Sequence, residues 1–398
     1  REPLGHSPFR QQMEDETSLH RLLTKDEFEQ ALSGVNDDLH SINRLASDAF
    51  FGKKQQEFFP LAHHDFLFVA NTVKEKALEE ARSKGLFKDD IDEFHEHTVF
   101  DAEQMQNVKL TCTPLMWAAH QGLLQDVAIL ASAGADLKMQ NEVGWSCLGL
   151  ACDRGHLHVV INLVAHGGVD LAMLRDPEDG LSCLQVAVQA KHLDIVVYLT
   201  EKVGKELILL TDKKGQTCLH LASRKGLLGI AKHLVDQGGL ELLLLTDSNG
   251  KTCLHFAADK GHADVVKHLA DKGGRKLLLL TDSVGWSCLG LAAFRRHLDI
   301  VEHLAVKGGR ELIMLTDPTH GLSCLHAAAQ WGHLDVVKLL AARGGEELVT
   351  LRNLKGETAH DLAVLHRVTD VAAFLAGFEG QPRIQGMRKK KRQDSDSD

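Results

Sequence analysis

The chain has 398 residues, 44% hydrophobic and 25% charged, which suits a folded protein larger than one ordinary domain. No apolar run approaches the ~20 residues of a membrane span, and no apolar signal-peptide core opens the chain, so membrane insertion is not expected. The formal charge of −10 sits wholly in residues 1–108, with 12 Lys/Arg against 22 Asp/Glu; the other residues carry 33 of each, so no basic footprint for nucleic acid is expected.

The chain begins at Arg1, as a processed form or a fragment of a longer product would. Residues 1–108 hold 11 of the 15 phenylalanines, and Phe50-Phe51, Phe58-Phe59 and Phe66-Leu67-Phe68 supply apolar anchors. Thr24 to Leu32 reads as helical, and Val73 to Lys84, rich in Ala, Glu and Lys, predicts a helix by propensity. The region is read as a mostly helical domain or an extended N-terminal cap. His63-His64 and His95-Glu96-His97, placed on a helix, point to different faces, unlike the i,i+4 pair of a helical metal site. They are read as surface residues. Asp89 to Glu93 lacks the loop glycine and ligand spacing of a calcium site, and no metal is expected.

From about residue 109 the chain repeats itself. Gly144, Gly180, Gly215, Gly250, Gly285, Gly321 and Gly356 recur at intervals of 35 or 36 residues, which predicts a solenoid. Residues 246–280 give the unit in full. Asp247 to Gly250 have turn chemistry, and Thr252 sits as the N-cap of a short helix carrying Leu254, Phe256, Ala257 and Ala258. Gly261 breaks it; Val265, Val266, Leu269 and Ala270 mark a second helix, which Gly273-Gly274 is expected to end.

Thr217-Cys218-Leu219-His220-Leu221-Ala222 and Thr252-Cys253-Leu254-His255-Phe256-Ala257 resemble the T-P-L-H-x-A signature of ankyrin repeats. Gly261-His262 before Asp264-Val265-Val266, Gly332-His333 before Leu334-Asp335-Val336-Val337, Thr113-Pro114-Leu115 and Gly134-Ala135-Asp136 are similar to that family's sequence as well. The resemblance covers roughly 109–378, in eight repeats starting near Lys109 and positions 141, 176, 211, 246, 281, 316 and 352. It implies an all-α solenoid with short turn hairpins, and a protein-binding groove rather than a chemistry. If the motif histidine ties repeats together, as in the family, its loss at Met116, Gly149, Gln185 and Gly290 predicts looser joints.

Two departures stand out. After Gly-Gly the chain inserts Leu242 to Leu245, Leu277 to Leu280, or Leu312-Ile313-Met314-Leu315, read as an extra helical turn packed between repeats. A lipid-binding stripe is the alternative, but no basic amphipathic helix accompanies it. Cysteine replaces the motif proline at Cys147, Cys183, Cys218, Cys253, Cys288 and Cys324. Equivalent helix positions stack too far apart to bridge, so these, with Cys112 and Cys152, are expected as free core thiols. The last repeat loses its Gly-His break, and Arg367, Thr369 and Asp370 suit the polar outer face of a cap.

No phosphate-cradling loop, G-x-S-x-G or H-E-x-x-H is present, so neither catalytic residues nor cofactors are expected. In a solenoid, function belongs where repeats differ. Those positions hold Trp145 and Trp286 at turn tips, and Arg154, Arg224, Lys225, Phe294, Arg295, Arg296 and Trp331 at first-helix ends. Two readings stand: hot-spot residues for a protein partner, or rings packed on the next turn among ordinary solvated cations. The first makes the chain a scaffold or adaptor; the alternative is the regulatory part of a larger enzyme or channel. The acidic N-terminal region could also cover the basic part of the groove. Residues 379–398 read as a disordered tail in which Arg388, Lys389, Lys390, Lys391 and Arg392 resemble a nuclear-import run. Beside it, Ser395 and Ser397 stand among aspartates as candidate phosphorylation sites. A solvated charge run is the other reading, and the expected location is cytoplasm with access to the nucleus.

Overall fold

A computed structural model describes residues 74–101 and 106–379, which divide into two compact units after Val203. The helix expected over Thr24 to Leu32, the paired phenylalanines, His63-His64, and the tail with its basic run and serines lie outside these residues.

The first unit opens with helix α1, residues 74–83, where the Ala/Glu/Lys composition predicted one; Ala77 and Ala81 are buried beneath it. The stretch that follows departs from the helical reading. His95–Asp101 (β1) and Gln106–Cys112 (β2) pair antiparallel, His95 opposite Cys112 and Asp101 opposite Gln106. Thr98, Val99, Phe100, Val108 and Thr111 are β-branched or aromatic, and that composition favours a pleated surface over a helix. In a strand, i and i+2 share a face, so His95 and His97 project together instead of apart. β2 also runs through residue 108, where the sequence places the edge of the array. Three helix pairs follow: Pro114–Gln121 with Leu124–Ser132 (α2, α3), Cys147–Arg154 with Leu157–Ala172 (α4, α5), and Cys183–Gln189 with Leu193–Val203 (α6, α7). Asp92 Oδ1 accepts the Asp136 N–H at 2.9 Å, tying the loop after α1 to the first pair.

The second unit begins with the short helix Lys205–Ile208 (α8) and holds five pairs. They are Cys218–Lys225 with Leu228–Leu244 (α9, α10), Cys253–Lys260 with Ala263–Leu278 (α11, α12), and Cys288–Phe294 with Leu298–Ile313 (α13, α14). Cys324–Gln330 with Leu334–Val349 (α15, α16) and Ala359–Leu365 with Thr369–Glu379 (α17, α18) complete it. Each first helix packs on the next first helix and on its own second helix, so Leu219, Leu254, Leu289 and Leu325 are fully buried. Residues flanking the first four turns of this unit bridge as minimal hairpins, such as Thr246 with Thr252 and Thr281 with Ser287.

Three local devices build the repeat. Asp247 Oδ1 takes the N–H groups of Asn249 and Lys251, at 2.9 and 2.8 Å, folding the turn around a buried carboxylate. Thr217 N–H donates to His220 Nδ1 at 3.0 Å and His220 N–H points back at Thr217 Oγ1, a reciprocal cap at the start of α9. The ring's other nitrogen reaches the next turn, His220 Nε2 to the Lys251 carbonyl at 3.1 Å and His255 Nε2 to that of Trp286 at 3.1 Å. Where the motif lacks that histidine, the one after the break glycine still crosses repeats: His156 Nε2 bonds the His120 carbonyl and His333 Nε2 that of Phe294, at 3.1 and 2.9 Å.

The Gly-Gly pair bends the second helix instead of ending it. In α12, Gly274 takes φ 56°, ψ −155°, a conformation open only to glycine, and the helix resumes to Leu278. Gly273 is helical, but a Cβ there would stand 2.5 Å from that of Leu277. The resumed turn buries Leu277 and Leu278 while Leu279 and Leu280 are half-buried; each full burial contributes about 1.5–3 kcal/mol. The extra turn read from the sequence is therefore present, on the far side of a kink. All eight cysteines are buried free thiols. Five do more than fill space: Cys183 donates to the Ala172 carbonyl at 3.3 Å, Cys218 and Cys324 to those of Ile208 and Ile313 at 3.4 Å, and Cys253 and Cys288 to those of Leu243 and Leu278, satisfying the end of the preceding helix. At the last pair Arg367 is exposed as a cap requires, yet Leu354, Val364 and Leu365 are exposed too.

Candidate partner-binding face

Contacts between turn and helix end define one face of the second unit. Arg224, on the last turn of α9, donates to Gln216 Oε1 at 3.2 Å, and Gln216 is the residue before that helix's N-cap. Trp286 occupies the same turn position one pair beyond the next and meets Phe294, the residue equivalent to Arg224, at 5.9 Å between ring centroids. Residues before each N-cap and residues at the end of each first helix therefore share a side.

On that side three rings form a chain. Phe294 stands edge-on to Trp286, interplanar 68°, and edge-on to Trp331, 80° at 5.2 Å. Such T-shaped pairs are worth about 0.5–1.5 kcal/mol each beyond area burial. Trp286 is half-buried; Trp331 is 58% exposed. At Gly290, where the motif histidine is absent, a Cβ would lie 3.0 Å from the Trp286 ring. Arg295 lies over Phe294 at 5.1 Å and pairs with Asp259 at 2.8 Å. Arg296 replaces the break glycine yet keeps its left-handed backbone, φ 62°, at a cost of about 1–2 kcal/mol, and its guanidinium meets Asp335 at 3.2 Å. Burial works against the Asp335 carboxylate, but the Val336 N–H and Arg296 outweigh it and hold the pKa below the ordinary value.

A family model described as "Ankyrin repeats (3 copies)" matches residues 115–209, 203–279, 219–317 and 289–385. The chain belongs to the ankyrin repeat family. A search of curated proteins returns no match. Ankyrin repeats are protein–protein interaction modules and the family is typically non-enzymatic, in keeping with the motif inventory. No described helix is long and apolar enough to cross a membrane.

Of the nine partner-binding residues expected from sequence, Arg224, Lys225, Trp286, Phe294, Arg295, Arg296 and Trp331 lie in the second unit of the ankyrin array; Trp286, Phe294, Trp331 and Arg295 are joined in one contiguous patch, and Arg296 pairs with Asp335. Trp145 and Arg154 belong to the first unit. Among the described residues Trp145 meets no other ring, and Arg154 sits 3.5 Å from the neighbouring Asp153. Sequence reasoning passed over two participants. Asp259 and Asp335 fix the two arginines from other repeats. Asp259 occupies the register position of Arg224 and Phe294, the signal by which it was legible. In the first unit, His97 stacks flat on Trp117 at 3.8 Å, with His120 beyond at 5.5 Å, so His97 is no plain surface histidine. Burial is the main cause lowering the pKa of both, with His95 adding to it at His97; His120 comes to about 4, with Arg154, His156 and His97 contributing.

Proposed function

We propose that this ankyrin array is a non-enzymatic scaffold or adaptor that takes up a protein segment on the turn-and-first-helix face of its second unit. The observation that carries the reading is the Trp286–Phe294–Trp331 chain, which leaves a tryptophan 58% exposed against a phenylalanine whose ring carries Arg295. Tryptophan and arginine are the residues most enriched at interface hot spots. The regulatory part of a larger enzyme or channel would use the same face. A nuclear address in Arg388 to Arg392, tuned by phosphorylation at Ser395 and Ser397, belongs to the same proposal.

The test is capture from a cell extract by the full chain and by Trp286→Ala/Phe294→Ala/Trp331→Ala. Proteins retained by the first and absent from the second, with helical content matched by circular dichroism, support the reading. Trp331→Ala alone, at an exposed position, keeps the test decisive should the triple variant unfold. Identical capture by folded variants overturns it.

A further inference from the structure

The aromatic patch has a basic approach. One and two repeats before Phe294, Trp286 and Trp331, the same register positions hold Arg224, Lys225, Lys251 and Lys260, and Arg295 joins them to the rings. The lysines at 225 and 260 are exposed. Against these five cations the rows hold two carboxylates: Asp259, which contacts both Arg295 at 2.8 Å and Lys260 at 3.8 Å, and, in the last pair, Glu357, which accepts from Asn353 Nδ2 at 2.9 Å. Past Phe294 the rows lose their cations: Leu322, Trp331 and Leu365 follow at turn and helix ends among Gln330, Glu357 and His366, with Leu365 exposed. The face is thus bipartite along the stack, cationic over the first repeats of the second unit and apolar over the next.

We propose, resting on the function just argued, that the occupant of this face is an extended acidic peptide segment with one bulky apolar anchor beside its acidic run. The carboxylates lie over the row from Arg224 to Lys260, and the anchor sits against Phe294 and the exposed Trp331. Charge complementarity selects the sign. A basic segment would meet five like charges and two carboxylates that are each already engaged, whereas an acidic one gains charge-assisted hydrogen bonds. Arg295 is the hinge of the scheme, because one guanidinium touches both the ring and the carboxylate that an incoming acid would compete with. The geometry also sets a length. Adjacent first helices pack about 8–10 Å apart, so two repeats span about 16–20 Å, which an extended chain at about 3.3 Å per residue covers in about five or six residues.

The experiment selects random peptides of about twelve residues, displayed on phage, on the immobilised full chain, with counter-selection on Trp286→Ala/Phe294→Ala/Trp331→Ala. An enriched peptide is then labelled with fluorescein and followed by polarisation against the full chain and Lys225→Glu/Lys260→Glu. Enriched sequences should carry aspartates and glutamates next to an aromatic or branched aliphatic residue. Affinity should fall about tenfold or more between about 0.05 and 0.3 M salt, and comparably on charge reversal. Enrichment of neutral or basic sequences that still need the rings overturns this inference and leaves the proposed function standing. No enrichment, or enrichment indifferent to the three rings, overturns both.

Discussion

His255 is buried with both ring nitrogens committed, and that commitment fixes its charge. Nδ1 accepts the Thr252 N–H at 3.2 Å and Nε2 donates to the Trp286 carbonyl at 3.1 Å, so a second proton has nowhere to go without breaking the cap. Burial is the main cause that lowers its pKa to about 4. An unfolded histidine titrates near 6.5, so between about pH 6.5 and 4 the unfolded chain binds the proton that the folded chain refuses. Stability is therefore full above about pH 6.5 and falls as pH drops toward 4, by about 3 kcal/mol from this residue alone. His220 and His326 are lowered by burial too and act in the same direction. Gln185 shows the remedy, since its Oε1 accepts the Ser182 N–H at 2.9 Å in the same cap. His255→Gln should cost about 1 kcal/mol at pH 7, from the lost bond to Trp286, yet flatten the acid limb. Urea midpoints at pH 7 and 4.5 check it; equal acid sensitivity in both proteins refutes the assignment. At this scale the sequence revealed which residues are unusual, as Trp286, Phe294 and Trp331 are. It did not reveal their company, because partners such as Arg296 and Asp335 are joined only through the repeat register.

The second helices teach the corresponding lesson for elements. Gly-Gly reads as a stop because glycine is the common residue past a helix end, and Gly274 does take positive φ. The helix nevertheless resumes, because Leu277 and Leu278 have a core to enter and folding them back over a residue without a side chain buries them. Gly273→Ala should then destabilise the chain by about 1–3 kcal/mol through overpacking against Leu277. Gly377→Ala, in α18 with open space around it, should stabilise by about 0.5–1 kcal/mol. Denaturation of the two variants side by side checks both, and equal effects would discard the packing account. The repeat itself was legible from turn glycines, caps and apolar spacing. The hairpin His95–Asp101 with Gln106–Cys112 was not, because its flanks are charged and its histidines were placed on a helix. The pairing rests on cross-strand neighbours that a helical reading never brings together.

At the scale of the whole chain, charge is laid out in blocks. Residues 1–108 carry the entire −10, the array is near neutral, and the end concentrates five consecutive cations from Arg388 to Arg392 before alternating Asp and Ser. On the proposal that this run is a nuclear address, five cations within five residues, with no apolar residue among them, offer the concentrated positive charge that a receptor lined with carboxylates would read. Ser395 and Ser397 stand within five residues of its end. A phosphate adds about −1.5 to −2 charges, so two of them offset most of the charge of the run within a few residues of it. Deleting 388–392 should therefore lower nuclear accumulation of the chain in cells, and Ser395→Asp with Ser397→Asp should lower it partially, since each aspartate supplies only one charge. Imaging the three forms with a common fluorescent tag decides the matter: identical distributions would leave the run as a solubilising end, and an effect of the aspartates without one of the deletion would place the address elsewhere.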